Sequence, residues 1–188
     1  VLILSFYLPV GSDGVEKFLS AIMPETYEDY VLDLYGRTRN KIGRWLKGQI
    51  VLSLVIGIVV FLGLWLLGVK YSLLLGVLAG ILELIPFVGP IFSGAAAILL
   101  GSSQSLSVAF YIFLLFVVIQ QIENHILVPA VMKFTTALNP VVVLIAILLG
   151  GKFLGFVGLI LAVPVSVFAQ ELIEDWTQRK VRRKGLGL

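Results

Sequence analysis

Nineteen consecutive residues, Ile50 to Gly68, carry no charge. A helix over them is about 28 Å long, close to the ~30 Å hydrocarbon core of a bilayer. Where lipid is the solvent, backbone polar groups must be satisfied within the chain, which restricts what can be built. The rest of the composition agrees. Charged residues make up 13% of the chain and hydrophobic ones 59%, with a mean hydropathy of +1.06. A soluble domain carries roughly twice that share of charge, about 25%. The chain reads as an all-α integral membrane protein.

The next constraint is an interruption. Glu83-Leu84-Ile85-Pro86-Phe87-Val88-Gly89-Pro90 sits inside an apolar region that runs from Tyr71 to Leu100. Proline lacks a backbone donor and clashes with the preceding turn, so one helix does not pass through this point. The residues before each proline, Ile85 and Gly89, are expected to be extended. Two half-helices, Leu73 to Leu84 and Ile91 to Leu100, follow, each too short to span. Unwound backbone at membrane depth is tolerated only where protein or a water-filled cavity surrounds it, and an acid there marks a functional site. The plainer alternative is a proline-kinked helix with Glu83 reaching the headgroups.

Charge is otherwise kept to the flanks. Between Gly48 and Gln170 only Lys70, Glu83, Glu123, Lys133 and Lys152 are charged. The basic clusters adjoin apolar spans without a recognition fold, which excludes nucleic acid as a partner. There is no cysteine and one histidine, so no disulfide framework or cysteine-based metal site exists.

Along the chain, Val1 to Val10 reads as the end of a transmembrane helix whose start is missing. Residues 11–48 form an amphipathic helical segment at the membrane surface. Its main helix, about Thr26 to Lys47, opens with a capping-box-like Thr26 and Asp29. Acids occupy its first half and Arg37, Arg39, Lys41, Arg44 and Lys47 its second, an order that suits the helix dipole. Asp33 and Arg37 form an i,i+4 pair. The basic half suits either anionic headgroups or open water. Residues 49–178 form the transmembrane bundle, and 179–188 a basic cytoplasmic tail. Within the bundle, Gln120, Gln121, Glu123, Asn124 and His125 interrupt an apolar helix, with Gln120, Glu123 and Asn124 on one face. Such a stripe faces other helices or a cavity. Asn139-Pro140 sets a turn before a second apolar hairpin, Val141 to Leu149 and Phe156 to Gln170, joined through Gly150-Gly151-Lys152-Phe153-Leu154-Gly155. Trp176 is a candidate interfacial anchor.

Phe87-Val88-Gly89 recurs as Phe156-Val157-Gly158, and the same offset sets Glu83 against Lys152. Paired broken segments point to a transporter's central site. The expectation is that Glu83 and Lys152 lie at opposing hairpin apices, where they could pair.

Four stretches now carry a resemblance: Glu83 to Pro90, Gln121-Ile-Glu-Asn-His-Ile-Leu-Val-Pro129, Leu138-Asn-Pro-Val-Val-Val143 and Gly150-Gly-Lys-Phe-Leu-Gly-Phe-Val-Gly158. In this order they resemble the autoinducer-2 exporter family of bacterial inner-membrane proteins, over nearly all of Val1 to Trp176. The chain matches the C-terminal half to two-thirds of a member. The resemblance implies a multi-pass helical transporter of the inner membrane with Gly/Pro-broken re-entrant or half-helix hairpins, and a homo-oligomer. Some members are associated with export of the quorum-sensing signal autoinducer-2, others with sodium/proton exchange, so both remain open here.

For a transporter, Glu83 is the candidate proton or cation site. Pro86, Gly89 and Pro90 break the helix. Gln120, Gln121, Glu123 and Asn124 supply a polar surface, Asn139 and Pro140 a second turn, and Lys152 a counter-charge. The expected partners are the lipid bilayer, a small solute and H+ or Na+. An enzyme is not indicated: Glu123 and His125 point to different helix faces, and no metal or cofactor set is present. A scaffold acting through the amphipathic segment is the remaining class.

Overall fold

The computed structural model describes residues 14–132 and 139–183. The readings of Val1 to Val10, the connector at 133–138 and the end of the basic tail lie outside the described residues. Among the described residues every regular element is helical. α1 is Gly14–Ile22, α2 Glu25–Leu66, α3 Ser72–Leu82, α4 Val88–Ser102 and α5 Leu106–Ile122. A π-helical turn, Glu123–Leu127, leads into α6, Val128–Met132. Pro140–Arg183 is helical on both sides of a kink at Gly155, whose φ of 59° and ψ of −137° no helix contains. Its arms are α7 (140–154) and α8 (156–183).

The amphipathic helix and the uncharged span, expected as two, are one rod of 42 residues, about 63 Å long. Gly48 costs helix propensity but does not end it. Trp45, Gly48, Gln49, Leu52 and Ile56 form one buried stripe, so packing holds the helix through this point. Pro24 is the N-cap and no side chain caps the helix, so Thr26 lies inside the first turn and the capping box is not formed. Glu25 and Glu28 there still oppose the dipole favourably.

α3 runs back along α2 with almost no space between the backbones. A Cβ on Gly76 would lie 2.5 Å from Phe61 Cβ and 2.8 Å from the Gly57 oxygen. A Cβ on Gly80 would lie 3.0 Å from the Ser53 oxygen. Small residues at such contacts are how helices associate tightly in lipid. α4 turns back onto α3 and α5 packs on α4. Leu52, Ile56, Val60, Leu64, Leu75 and Ile112 are central in the core between these helices.

The second hairpin also folds back on itself. The backbones of Gly150 and Gly158 touch, leaving no room for a side chain on either. Although Val141–Thr177 is long and apolar enough to cross a membrane, the kink makes it two arms, as the glycines led one to expect. Trp45 of α2 shares a core with Val143, Ile147, Val163 and Val167 of these arms. The two hairpins thus approach α2 from opposite ends. The first opens where α2 finishes, at Leu66, and the second where its charged half lies.

Candidate functional site

α3 ends at Glu83, whose backbone N–H still reaches the Ala79 oxygen at 2.9 Å. The chain reverses at Phe87, a non-glycine residue with φ 67°. One expectation is corrected here. Gly89 is helical, not extended, and α4 already begins at Val88. The first helical N–H groups have no intrahelical acceptor, so Pro90 forfeits nothing in that first turn, and glycine before it has no Cβ to clash. Gly89 is needed for a second reason. A Cβ there would lie 2.7 Å from Glu83 Cα and N, so this glycine allows the two half-helices to close around the acid.

Glu83 is almost fully buried, with 1% of its surface exposed. Gln49 of α2, 2% exposed, donates through Nε2 to the Glu83 carbonyl oxygen at 2.5 Å. Ser93 Oγ donates to the Gly89 oxygen at 2.8 Å, tying down the first turn of α4. The Glu83 carboxyl is a near neighbour of the Glu123 carboxyl, which is also buried. Glu83 Oε2 meets no donor. No cation pairs with either acid among the described residues.

Glu123 owes its position to Pro129. A proline at 129 has no N–H to offer the oxygen of residue 125, and its ring would crowd that carbonyl. The backbone widens by one residue, and the N–H of Val128 bonds to the Glu123 oxygen. Such π-helical turns often sit at functional sites. Gln120 Nε2 points at Glu123 Oε2 (3.5 Å) and Asn124 Oδ1 (3.4 Å). A polar line therefore runs from Gln49 through Glu83 and Glu123 to Gln120 and Asn124, across three elements.

The other candidates are placed elsewhere. Gln121 and Lys152 are exposed. No ion pair joins Lys152 to Glu83 among the described residues; the carboxyl beside Glu83 is that of Glu123. Pro86 lies in the break. Asn139 caps the second hairpin, accepting from Val141 N–H at 2.9 Å, and its own N–H reaches Gln170 Oε1 at 3.3 Å. Pro140 opens α7.

Gln49 went unremarked in the sequence. The signal was present: Gln49 stands one helical turn beyond the apolar Trp45 and one before Leu52 and Ser53, on the face that packs inward. A second polar cluster was also hidden. Arg37 pairs with Asp33 (3.1 Å), Glu171 (3.0 Å) and Asp175 (3.2 Å). Lys41 pairs with Glu171 and with Glu174 (3.0 Å), and Tyr30 donates to Asp175 Oδ2 at 2.9 Å. These bonds fix α8 antiparallel to the charged half of α2.

Comparison with known proteins gives the family of the chain. Residues 1–178 match the family model described as AI-2E family transporter. The chain is 27% identical to the "Putative transport protein YrrI" of Bacillus subtilis, over 87% of its own length and 46% of the relative's. It is 30% identical to YueF of the same organism, which bears the same description, over 85% and 43%. It is 29% identical to the "Putative permease PerM" of Escherichia coli, over 80% and 43%. The chain thus spans less than half the length of these relatives. No solved structure matches it.

Proposed function

This chain belongs to the AI-2E transporter family, and on that footing we propose that it carries the coupling site of a secondary exporter of a small solute, with Glu83 and Glu123 holding a proton between them. The observation that carries this reading is the buried carboxyl pair, without a cation beside it among the described residues, where a broken hairpin meets a π-helical turn. Two carboxylates in a water-poor site repel strongly, so one proton or a cation between them is required. Ionisable side chains at interrupted helices are where transporters take coupling ions. The C-terminal end of α3 points its partial negative charge at the same place, which adds to the attraction for a cation.

The opposed hairpins supply what alternating access needs. Each is a short, Gly-interrupted element able to move against α2, and their apices approach its apolar half from either end. A proton bound between Glu83 and Glu123 lets the first hairpin rest closed against α5; its loss leaves paired negative charge that pushes the two apart. The neutral amides of Gln49, Gln120 and Asn124 suit a small hydroxylated solute, of which autoinducer-2 is an example. The same acid pair supports a second reading, sodium/proton exchange, with Na+ replacing the proton.

Proteoliposomes of the full-length protein under an imposed pH gradient separate these. Solute efflux that consumes the gradient and is lost in Glu83→Gln supports coupled export. Sodium-dependent proton movement without solute supports exchange. Undiminished gradient-driven flux in the Glu83→Gln/Glu123→Gln double variant removes the acid pair from the mechanism.

A further inference from the structure

Five basic side chains lie between Arg37 and Lys47, and intramolecular ion pairs take up three of them. Arg37 and Lys41 bind the acids of α8, and Arg39 pairs with Glu16 of α1 at 3.6 Å. Arg44 and Lys47 are exposed and form no ion pair among the described residues. They stand one turn apart at the point where α2 enters its apolar run.

Directly beyond Lys47 a groove begins. Ile50, Leu54 and Ile58 of α2 form one wall, and Leu73, Val77 and Ile81 of α3 the other. Its floor is Gly57, Gly76 and Gly80, the glycines that let the two helices touch. The groove has a volume of about 470 Å³. From Ile50 to Phe61 it is about 17 Å long, close to half the ~30 Å hydrocarbon thickness, the depth of a single leaflet. Its walls are open to the outside: Leu54 is 65% exposed. Ser53, itself 6% exposed, lines the groove one turn from its mouth, with an Oγ that has no partner.

We propose that this groove, with Arg44 and Lys47 at its mouth, is a binding site for one anionic phospholipid. An acyl chain lies along the glycine floor and the phosphate meets the two cations. Charge complementarity selects this occupant over a second copy of the chain, since a paired helix would bury two uncompensated cations at the mouth. Cations just outside an apolar helix attract anionic headgroups in this way.

Native mass spectrometry of the full-length protein in detergent tests this, with phosphatidylglycerol and phosphatidylcholine as the probes. One phosphatidylglycerol should be retained in preference to phosphatidylcholine. Arg44→Gln/Lys47→Gln should weaken phosphatidylglycerol about 30-fold, each cation contributing a factor of about five, while Arg44→Lys/Lys47→Arg keeps it. Val77→Trp, filling the groove from an exposed position, should lower retention of both lipids, and Lys70→Gln, changing an exposed cation elsewhere, neither. Equal retention of the two lipids by the unmodified protein overturns the headgroup site. So does competition by soluble glycerol phosphate as strong as by the lipid, because the groove would then contribute nothing. A change of oligomeric state in Val77→Trp with lipid retention intact assigns the groove to a second copy and overturns the proposal.

Discussion

Two regions of this protein bury acids against α2, and they do so on opposite terms. At the charged end, Glu171, Glu174 and Asp175 meet Arg37 and Lys41, so the buried Glu171 and the less buried acids beside it each have a cation alongside. At the broken hairpin, Glu83 and Glu123 meet each other, and the hydrogen-bonding side chains nearby among the described residues are neutral amides and a hydroxyl. Burying a charge is tolerated when it is paired and hydrogen-bonded. The first region satisfies that condition permanently and therefore fixes one geometry. The second has no such cation among the described residues, and the proposed transport function rests on that difference. Both are clusters of acids on apolar helices; composition alone does not tell an anchor from a switch.

Neutralising substitutions should split the two regions. The largest effect is expected from Glu83→Gln, which should reduce gradient-driven flux in proteoliposomes to background. The same variant should keep or raise the melting temperature, because a buried acid pair loses its repulsion. Equal flux before and after would merge the two regions into one structural class. Arg37→Met should act in reverse. It removes one of the two cations beside Glu171, which is 3% exposed, and leaves Lys41 in place, so it should lower unfolding stability by about 1 kcal/mol, below the cost of a buried charge left with no partner. A thermal unfolding series checks this, and unchanged stability would show that the cluster anchors nothing.

A Lys41 and Glu171 double-mutant cycle should give a coupling energy of about 1–2 kcal/mol that weakens with salt only partly, as expected of a pair shielded from water. No comparable coupling is expected for Lys152 with Glu83. Smallest of all, Lys152→Gln should change stability by less than about 0.5 kcal/mol, as at other exposed positions free of such partners.

The broken first hairpin, the glycine-rich reversal of the second and the polar stripe near Pro129 were all legible from residue order. They rest on local chemistry that proline and glycine impose wherever they stand. What could not be read depends on partners distant in the chain. Gly48 looked like a boundary between two helices, and only the packing of Trp45 and Gln49 against other elements carries α2 through it. Gly89 was expected to be extended because a proline follows; its missing Cβ and its place in a first helical turn remove the reason. The pairing of Glu83 was sought with Lys152, the charge of opposite sign. Yet Pro129 decides otherwise by widening the backbone and setting Glu123 in place. The basic half of α2 reads in sequence as one surface, whereas among the described residues ion pairs to α8 and α1 engage Arg37, Lys41 and Arg39 and not Arg44 or Lys47.

One mechanical consequence follows from the unbroken course of α2. Arg37 and Gln49 stand on the same stiff shaft, about 18 Å apart along its axis, one clasping the second hairpin and the other the tip of the first. With no joint between them, a swing of 10° displaces the far end of the shaft by about 11 Å relative to its root. In the proposed transport cycle, a movement of either hairpin that turns α2 is therefore passed to the other.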